Sequence, residues 1–572
     1  MKFLEEVEKV LGDEIKKLDS KAEVGLSFSD RPELSNFQSN VCFSLAKTLK
    51  RSPLSIAEEI SSKINSEKFE VFAVAPGFLN VKLKNSYFSE IFEKFFNDKR
   101  LGIEKFERRK IVFDYGGPNI AKPLHVGHLR SAVIGETIKR LSKFMGDDVV
   151  SDVHLGDYGL QMGLTIAQIM DETDCSYYFT GQGERLNLTA NELEKFYPKA
   201  AARAKEDETF KKRAQEITVK LQKGEKGYFD IWKEITKISV EDVRKIYDIL
   251  NVSFDKWYGE SDSQKFVPKV FEILNEKGLI EKSNGAEIVD VSEDTDDSPM
   301  PPVIVRSSAG AELYATTELA TIVSRLEEFA PDEIWYLTDN RQALHFKQVF
   351  RVCKRAKIGE NVKFLHFGFG TVNGSDGKPF KTREGAAMKL IDLIEIVKDA
   401  CRKKILESGK LSEDDDIDAL ATAIGVSALK FGDLINFPPK DYVFDLEKFC
   451  SFEGKTGPYM LYSIVRINSI LNKAGNFEPC FEIGTDFEKE ILISLLKFKE
   501  DVALAAKNHA PNIFVQSAYN LACSFSALYT STKILTETNE KRKASLLSLI
   551  KVVGRALEIF AKLLAIDVPE KM

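Results

Sequence analysis

The chain has 572 residues, of which 43% are hydrophobic and 30% are charged, and its net charge is -7. At about 150 residues per domain, this length predicts three or four domains with several hydrophobic cores. No apolar run reaches the roughly eighteen residues that a membrane helix needs. The acidic balance argues against a protein that coats nucleic acid indiscriminately.

The seven cysteines are widely spaced and none forms a CxxC pair. Their odd number and their spacing argue against a disulfide framework and against a cysteine zinc site. The N-terminal segment MKFLEEVEKVLGDEIKKLD predicts an amphipathic helix and lacks the apolar core of a signal peptide. We therefore expect a cytoplasmic chain with reduced thiols, no structural zinc and no membrane partner.

Residues 1–100 predict a small α/β domain. Helical segments come first, and VFAVAPGFLNVKL at 71–83 then predicts two strands around a Pro-Gly turn.

From residue 106 onward, strands alternate with helices. The strand segments are KIVFDYGG, DDVVSDVHLGDYGLQMG, DEIWYLTD and VKFLHFGFG. Such alternation predicts a doubly wound parallel sheet of the Rossmann type, with its ligand crevice at the carboxyl ends of the strands. We expect this α/β domain to span 106–385, with a charged helical insertion at about 190–245.

Beyond residue 386 the strand signals fade and amphipathic helices take over. We expect a helical connecting region at 386–450 and an all-α bundle at 451–572. Steps of four and three place six apolar residues on one face of the last helix, which predicts a core stripe. These residues are Leu546, Ile550, Val553, Leu557, Phe560 and Leu564.

The segment NIAKPLHVGH at 119–128 carries two histidines, His125 and His128. The first alternative for these histidines is a zinc site, which needs three or four ligands. The sequence has no HExxH pattern, and the next histidine, His154, has no carboxylate or cysteine cluster beside it. Two histidines that cap or pack at the start of a helix are the second alternative. The third is a phosphate site, because Gly127 lies where a helix begins after a strand, and helix N-termini bind anions.

The motif HVGH resembles the HIGH signature of class I aminoacyl-tRNA synthetases, which related nucleotidylyltransferases also carry. The longer string DYGGPNIAKPLHVGHLRSAVIGETI is more specific and resembles the arginyl-tRNA synthetases. Further similar segments follow in the family's order along nearly the whole chain. They are LSNFQSNVCFSLAK, PGFLNVKL, HLGDYGLQMG, LYATTELA, DNRQALHFKQVF, EGKTGPYMLYSIVRINSIL, ALYTSTKIL and the terminal VPEKM.

This resemblance implies an enzyme that activates L-arginine with ATP and Mg²⁺ and transfers it to the 3′ end of tRNA(Arg). AMP and pyrophosphate are the other products. It also implies a monomer that must bind tRNA before it activates arginine. The N-terminal domain would contact the outer corner of the tRNA and the C-terminal bundle its anticodon stem-loop. Aromatic residues that could stack on RNA bases there are Tyr459, Tyr462 and Tyr529.

The resemblance also implies the roles of individual residues. Charge on the ATP phosphates would be stabilised by His125, His128, Lys122, Lys378 and Lys381, the last two in GSDGKPFKTREG, which stands where the family carries KMSKS. Gly127 would let the nucleotide approach, and His345 and Gln348 would contact its adenosine part. Asp114 and Glu318 would accept the guanidinium of arginine, beside Tyr314, because a guanidinium binds carboxylates bidentately. Asn119 and Gln342 would hold the α-amino group.

The sequence departs from the family at three places. The KMSKS element is altered, Glu318 stands where aspartate is more usual, and a serine is more usual near Gly117. Three rival functions therefore have to be considered. A cysteinyl-tRNA synthetase would need a zinc cluster, a small nucleotidylyltransferase would leave the terminal domains unexplained, and a catalytically dead relative would not need the intact HVGH motif.

Overall fold

The computed structural model describes residues 3–308, 310–374, 376–378, 380, 388–408 and 416–572. The chain divides into two compact units. The first comprises Met1–Glu104, Phe452–Lys562 and Asp567–Met572, and the second comprises Lys105–Ser451 and Leu563–Ile566. The domain limits that we expect from the sequence stay predictions.

The N-terminal part of the first unit is a four-stranded antiparallel sheet with helices around it, in the strand order β1-β2-β4-β3. The predicted hairpin is confirmed, since β3 and β4 pair from Phe69↔Leu83 to Val74↔Phe78. The elements are α1 (Glu5–Leu18), β1 (Leu26–Phe28), β2 (Phe37–Ser39), α2 (Val41–Leu49), α3 (Pro53–Lys63), β3 (Phe69–Val74), β4 (Phe78–Leu83) and α4 (Asn85–Asn97).

The first half of the second unit opens the predicted parallel sheet and then runs through a series of helices. Three of these helices cover residues 190–249, where the sequence predicts a helical insertion. The elements are β5 (Lys110–Tyr115), α5 (Val126–Met145), β6 (Asp148–Asp152), α6 (Leu160–Glu172), α7 (Ser176–Thr180), α8 (Ala190–Glu206), α9 (Glu208–Gln222), α10 (Lys226–Ile249), α11 (Glu260–Ser263) and α12 (Val267–Glu276).

The second half of this unit completes the sheet and ends in helices. The elements are β7 (Glu281–Ser283), β8 (Ala286–Val289), β9 (Val303–Arg306), α13 (Tyr314–Phe329), β10 (Glu333–Asp339), α14 (Ala343–Ala356), β11 (Lys363–Phe369), β12 (Val372–Asn373), α15 (Leu390–Ser408), α16 (Ile417–Leu434), β13 (Tyr442–Val443) and α17 (Leu446–Phe449).

The doubly wound sheet has the strand order β11-β10-β5-β6, and all its pairs are parallel. All four strands were predicted from the sequence. The chain leaves β5 toward β6 on one side, whereas β10 leads to β11 on the other side. The carboxyl ends of β5 and β10 therefore flank the point where the strand order reverses, which is where such sheets bind ligands.

A three-stranded antiparallel sheet, β7-β8-β9, was not predicted. Its first two strands are joined at Asn284 and Gly285, whose φ angles are 49° and 80°. This is the type I′ turn that Asn-Gly favours between two strands. The strands are only three and four residues long, so their alternation is too short to read from the sequence.

The C-terminal part of the first unit is helical. Its helices are α18 (Gly457–Ala474), α19 (Asp486–Asn508), α20 (Asn512–Ser531) and α21 (Glu540–Leu563). The predicted apolar stripe is confirmed as core, since all six of its residues are at most 1% exposed. Within the described residues, no helix is long and apolar enough to cross a membrane.

Candidate active site

A pocket of about 440 Å³ lies at the carboxyl ends of the parallel strands. The ends of β5, β10 and β11 line it together with the first turns of α5 and α13. Seven of the residues predicted to bind substrates lie on its wall, and they come from four separate segments of the chain. They are Asp114, His125, Gly127, His128, Tyr314, Glu318 and Gln342.

The two histidines cap helix α5 in a reciprocal arrangement. Nδ1 of His125 accepts a hydrogen bond from the backbone N–H of Gly127 at 3.1 Å, and Nδ1 of His128 accepts one from His125 N–H at 3.0 Å. Because Nδ1 acts as the acceptor in both rings, a neutral ring carries its proton on Nε2. Each imidazole can therefore offer an Nε2–H donor to a ligand in the pocket.

The surroundings of the histidines keep both rings neutral. Burial lowers the pKa of His128 to about 3, and a proton on His125 would lower it further. Burial also lowers the pKa of His125, and the positive charges of Arg341 and Lys122 add to this effect. Two neutral rings whose centroids are 4.0 Å apart can donate hydrogen bonds without repelling each other.

Gly127 leaves room for the His125 ring because it has no Cβ. A Cβ at this position would lie 2.8 Å from Cε1 of His125, closer than real contacts allow. A side chain at 127 would therefore displace the His125 ring as well as fill the pocket wall. The glycine thus keeps the first turn of α5 open to a ligand.

A buried network of charges lies behind the pocket. Nη2 of Arg325 donates to Oδ2 of Asp114 at 2.6 Å and to Oδ2 of Asp152 at 2.8 Å. Asp114 was predicted to meet the guanidinium of the substrate, and in this structure its carboxylate pairs with a guanidinium of the chain itself. The two aspartates are neighbours because β5 and β6 pair in parallel with Asp114 opposite Asp152.

His154 extends this network, and the statement that it lacks neighbouring carboxylates is wrong. Its Nδ1 lies 3.5 Å from Oδ2 of Asp152. Burial alone would lower the pKa of His154, but the Asp152 carboxylate, with Asp114 behind it, outweighs burial and raises the pKa to about 9. His154 is therefore a second cation in the network at neutral pH.

The side chains of Asp114, Asp152 and His154 offer ligand atoms within 4.8 Å of one another, a spacing that could hold a metal ion. Arg325, however, already places a cation between the two carboxylates. A divalent ion there would have to displace a guanidinium that is only 3% exposed. These residues fit an ion-pair network better than they fit a metal site.

Glu318 lies on the wall of the same pocket and is 3% exposed. Within the described part of the chain, no hydrogen bond reaches its Oε1. Burial raises its pKa, although the positive charges of His154 and Arg325 and the hydroxyl of Tyr336 act in the opposite direction. Among the described residues no cation forms an ion pair with this buried carboxylate, so the position is suited to a cationic ligand that would neutralise it.

Three other residues predicted to bind arginine or ATP, His345, Gln348 and Asn119, are not among the residues that line the pocket. His345 packs on Tyr314 with ring centroids 4.5 Å apart, and Nε2 of Gln348 donates to the carbonyl of Pro301. Asn119 is exposed and pairs with Gly156 in an isolated parallel bridge. Its loop therefore packs against the loop that follows β6.

Of the predicted lysines, Lys122 and Lys378 are described by the structure, and neither lines the pocket. Nζ of Lys122 lies 4.3 Å from the centroid of the Tyr197 ring on α8, a cation–π contact. Lys378 is exposed in a turn in which the backbone N–H of Gly374 donates to the Lys378 carbonyl. Lys381 lies outside the described residues.

Sequence reasoning did not single out Arg325, Asp152, Asp339 or Arg341. Two signals could have indicated the first three of these residues. Arg325 follows Glu318 by seven residues, so both lie on one face of α13. Asp152 and Asp339 end their strands much as Asp114 does, at the edge where ligands bind.

The C-terminal helices carry a separate cluster of aromatic and basic side chains. The guanidinium carbon of Arg466 lies 4.3 Å from the ring centroid of Tyr462 and 4.6 Å from that of Tyr529. Tyr529 is 37% exposed. Tyr459 is half-buried and donates to the carbonyl of Ala522, so it also contributes to packing. Rings beside a guanidinium suit contacts with unpaired bases.

Three segments of the chain match known families. Residues 5–83 match the arginyl tRNA synthetase N terminal domain, residues 90–446 match tRNA synthetases class I (R), catalytic domain, and residues 460–572 match the DALR anticodon binding domain.

Full-length relatives agree with these matches. The chain is 44% identical over 561 residues to an arginine–tRNA ligase of Alkaliphilus oremlandii, covering 96% of this chain and 95% of the relative. It is 43% identical over 573 residues to the enzyme of that name in Agathobacter rectalis, covering 96% of each. A crystal structure of arginyl-tRNA synthetase from Plasmodium falciparum matches with a TM-score of 0.81 at 25% identity over 99% of each chain. The chain therefore belongs to the arginyl-tRNA synthetase family of class I aminoacyl-tRNA synthetases.

Proposed function

We propose that this chain is an arginine–tRNA ligase, which activates L-arginine with ATP and transfers it to tRNA(Arg). One observation at the site supports this function most directly. A single pocket joins the buried carboxylate of Glu318, which forms no ion pair with the described residues, to the N-terminus of a helix capped by two histidines. The first feature suits a guanidinium and the second suits a phosphate.

In the first step, the carboxylate of arginine attacks the α-phosphorus of ATP. A bond forms between that oxygen and phosphorus, the bond to the bridging oxygen breaks, and pyrophosphate leaves with the electron pair. Negative charge on the phosphate oxygens would be stabilised by the Nε2–H groups of His125 and His128 and by the N-terminus of α5. The protein contributes position and charge and forms no covalent bond with the substrate.

Selection of arginine would rest on the balance of buried charges around the pocket. Among the described carboxylates that line the pocket, Asp114 is paired with Arg325 and Asp339 with Arg341. Glu318 is then the carboxylate of the wall that is left for one substrate guanidinium. In this proposal Glu318 is the main acceptor, Tyr314 forms a wall of the site, and Asp114 acts mainly through Arg325.

In this proposal ATP would bind together with Mg²⁺, and the ion would offset part of the charge of the phosphates. Mg²⁺ usually binds substrate phosphates and one or two carboxylates and keeps several water ligands. Two of the carboxylates that line the pocket are already paired, Asp114 with Arg325 and Asp339 with Arg341. We therefore assign the ion to the nucleotide and assign no separate protein cage to it.

In the second step, a hydroxyl group of the terminal ribose of tRNA(Arg) attacks the carbonyl carbon of arginyl-adenylate, and AMP leaves. The cluster of Tyr462, Arg466 and Tyr529 is proposed to contact bases of the anticodon loop.

We further propose that the enzyme works as a monomer in the cytoplasm. Light scattering of the purified chain would test the monomer, and a mass of two chains would contradict it.

Arginine-dependent exchange of label between pyrophosphate and ATP tests the function, with and without total tRNA. We expect exchange that depends on arginine and that occurs only when tRNA is present. If no exchange occurs with tRNA present, the catalytic proposal is wrong. Exchange driven by another amino acid would refute the assignment of the pocket.

A further inference from the structure

The arrangement of cations around the pocket differs from the one that the sequence suggests. Lys122 lies over the ring of Tyr197, and Lys378 is exposed in its own turn. Within the described residues, Arg341 is the one lysine or arginine that lines the pocket. Within the part of the chain that the structure describes, the permanent positive charge on the pocket wall therefore belongs to a residue to which neither the motifs nor the family resemblance assigned a role.

The fold presents Arg341 in a defined way. It lies in the 3-10 turn Asn340–Gln342, directly after β10 ends at the crevice. Its side chain is 82% exposed, so it stands on the solvent side of the pocket. A long, exposed side chain would normally sample many rotamers, and holding it in one orientation requires a specific partner.

Asp339 is that partner, and its carboxylate accepts three hydrogen bonds from Arg341. Oδ1 of Asp339 accepts hydrogen bonds from the backbone N–H of Arg341 at 2.9 Å and from Nε at 2.8 Å, and Oδ2 accepts one from Nη2 at 2.8 Å. The side chain uses two of its five N–H donors in this way. The remaining donors keep a fixed direction and are available to a second anion.

Arg341 also faces the same space as the first histidine of HVGH. Its positive charge is the largest contribution, after burial, to the lowered pKa of His125. Arg341 and His125 thus border one region of the pocket from β10 and α5, the two elements that flank the reversal of strand order. A phosphate chain at the N-terminus of α5 would lie between them.

We propose that Arg341 is a catalytic residue that binds the phosphates of ATP, and that Asp339 is a positioning residue that orients its guanidinium. The inference rests on the proposed function and adds a group to it. A planar guanidinium matches the oxygens of phosphate in a way that a lysine ammonium cannot. Arg341 supplies at the pocket the permanent positive charge that Lys122 and Lys378 do not supply in this structure.

The test compares four variants of the full-length enzyme: Arg341→Ala, Arg341→Lys, Asp339→Asn and, as control, Arg108→Ala. Arg108 is 72% exposed and paired with Asp148, but it precedes β5 at the opposite end of the sheet. Exchange with arginine and tRNA gives kcat and the KM for ATP. Equilibrium dialysis with labelled ATP gives affinity without catalysis, and thermal melting checks folding.

We expect Arg341→Ala to lower kcat/KM for ATP about tenfold or more, as the loss of a charge-assisted hydrogen bond does. It should also weaken the binding of ATP in dialysis. Arg341→Lys should restore part of the affinity, because charge is kept and the fork is lost. Asp339→Asn should lower kcat several-fold without raising the KM for ATP, since it removes orientation and also a repelling charge. Arg108→Ala should match wild type.

The inference is overturned if Arg341→Ala keeps the ATP affinity and kcat of wild type, or changes them no more than Arg108→Ala does. Loss of transfer to tRNA with unchanged exchange would also overturn it, because Arg341 would then act on the tRNA end. If the wild-type enzyme shows no exchange, the proposed function fails. The dialysis comparison still decides whether Arg341 binds ATP.

Discussion

At the scale of single residues, the buried carboxylate of Glu318 destabilises the free protein and favours the binding of a cation. Its carboxylate is buried, raised in pKa and lacks a hydrogen bond to Oε1 among the described residues. Such a group destabilises the empty pocket and gains most when a cation arrives. Stability and function should therefore respond in opposite directions when this charge is removed.

We expect Glu318→Gln to raise the KM for arginine about 100-fold or more, which corresponds to the roughly 3 kcal/mol lost when one partner of a buried ion pair is removed. The melting temperature should not fall, because the neutral amide costs less to bury. Exchange kinetics and thermal melting measure the two effects. Glu327→Gln, on the same helix but exposed, should change neither KM nor melting. An unchanged KM in Glu318→Gln would refute the role of Glu318.

His154 provides a prediction about pH. Its folded-state pKa of about 9 lies above the ordinary value of 6.5, so folding favours the protonated ring. This contribution to stability is complete below about pH 6.5 and is lost as the pH rises through about 9. The charged groups that face the ring are Asp114, Asp152, Asp157, Glu260, Glu318 and Arg325.

The variant His154→Asn measures this contribution. Asparagine accepts the left-handed backbone of this position, where φ is 37°, so it adds little strain. We expect the melting temperature of wild type to exceed that of the variant by a constant amount up to about pH 6.5, and the gap to close toward pH 10. A gap that stays constant or widens with rising pH would show that His154 is not held in its charged form.

Residue identities could be predicted only where a motif or a strand end indicated them. His125, Gly127 and His128 follow from one ten-residue string, and all three line the pocket. Asp114 was also placed there, but its partner Arg325 lies 211 residues away in sequence. No local pattern reveals such a pairing, because it depends on the tertiary fold that brings Arg325 of α13 to Asp114 and Asp152.

At the scale of elements, two glycines without a Cβ allow the loops after β5 and β6 to approach each other closely. A Cβ at Gly117 would overlap the carbonyl oxygens of Val153 and His154, and one at Gly156 would overlap Oδ1 of Asn119. These loops carry Asn119 and His154, so their spacing sets the position of both. The Cβ of a serine at position 117 would overlap the same two carbonyl oxygens.

Gly117→Ala should therefore separate the two loops. Overpacking of this kind costs about 1–3 kcal/mol, so we expect a lower melting temperature and a clear loss of exchange activity. Gly12→Ala is the control, since its Cβ would meet only Cγ2 of Val24, at 3.4 Å. Wild-type melting and activity in Gly117→Ala would show that the loops can move apart without consequence.

Elements were predictable where they are long and regular. The four parallel strands and the stripe of α21 have strong apolar patterns, and the structure contains them. The small sheet β7-β8-β9 was missed because its strands are short, although Asn284 and Gly285 mark its turn. The position of Lys122 was equally hidden, because its partner Tyr197 belongs to a helix of the insertion.

At the scale of the whole molecule, the two groups of functional residues belong to different compact units. The pocket residues lie in Lys105–Ser451, whereas Tyr462, Arg466 and Tyr529 lie in Phe452–Lys562. Substitutions at sites that share no partners usually have additive effects on free energy. Activation of arginine and binding of tRNA should therefore be separable by mutation.

We expect Tyr529→Ala to raise the KM for tRNA roughly 5- to 100-fold, with an unchanged kcat at saturating tRNA. This is the cost of about 1–3 kcal/mol for one lost stacking contact.

His128→Ala should have the reverse effect. Exchange should fall about 100-fold or more, because a donor to the phosphates is lost, and tRNA affinity should stay near wild type. The double variant should show the product of the two effects in aminoacylation assays. An equal loss of exchange and tRNA affinity in His128→Ala would assign that histidine a structural role instead.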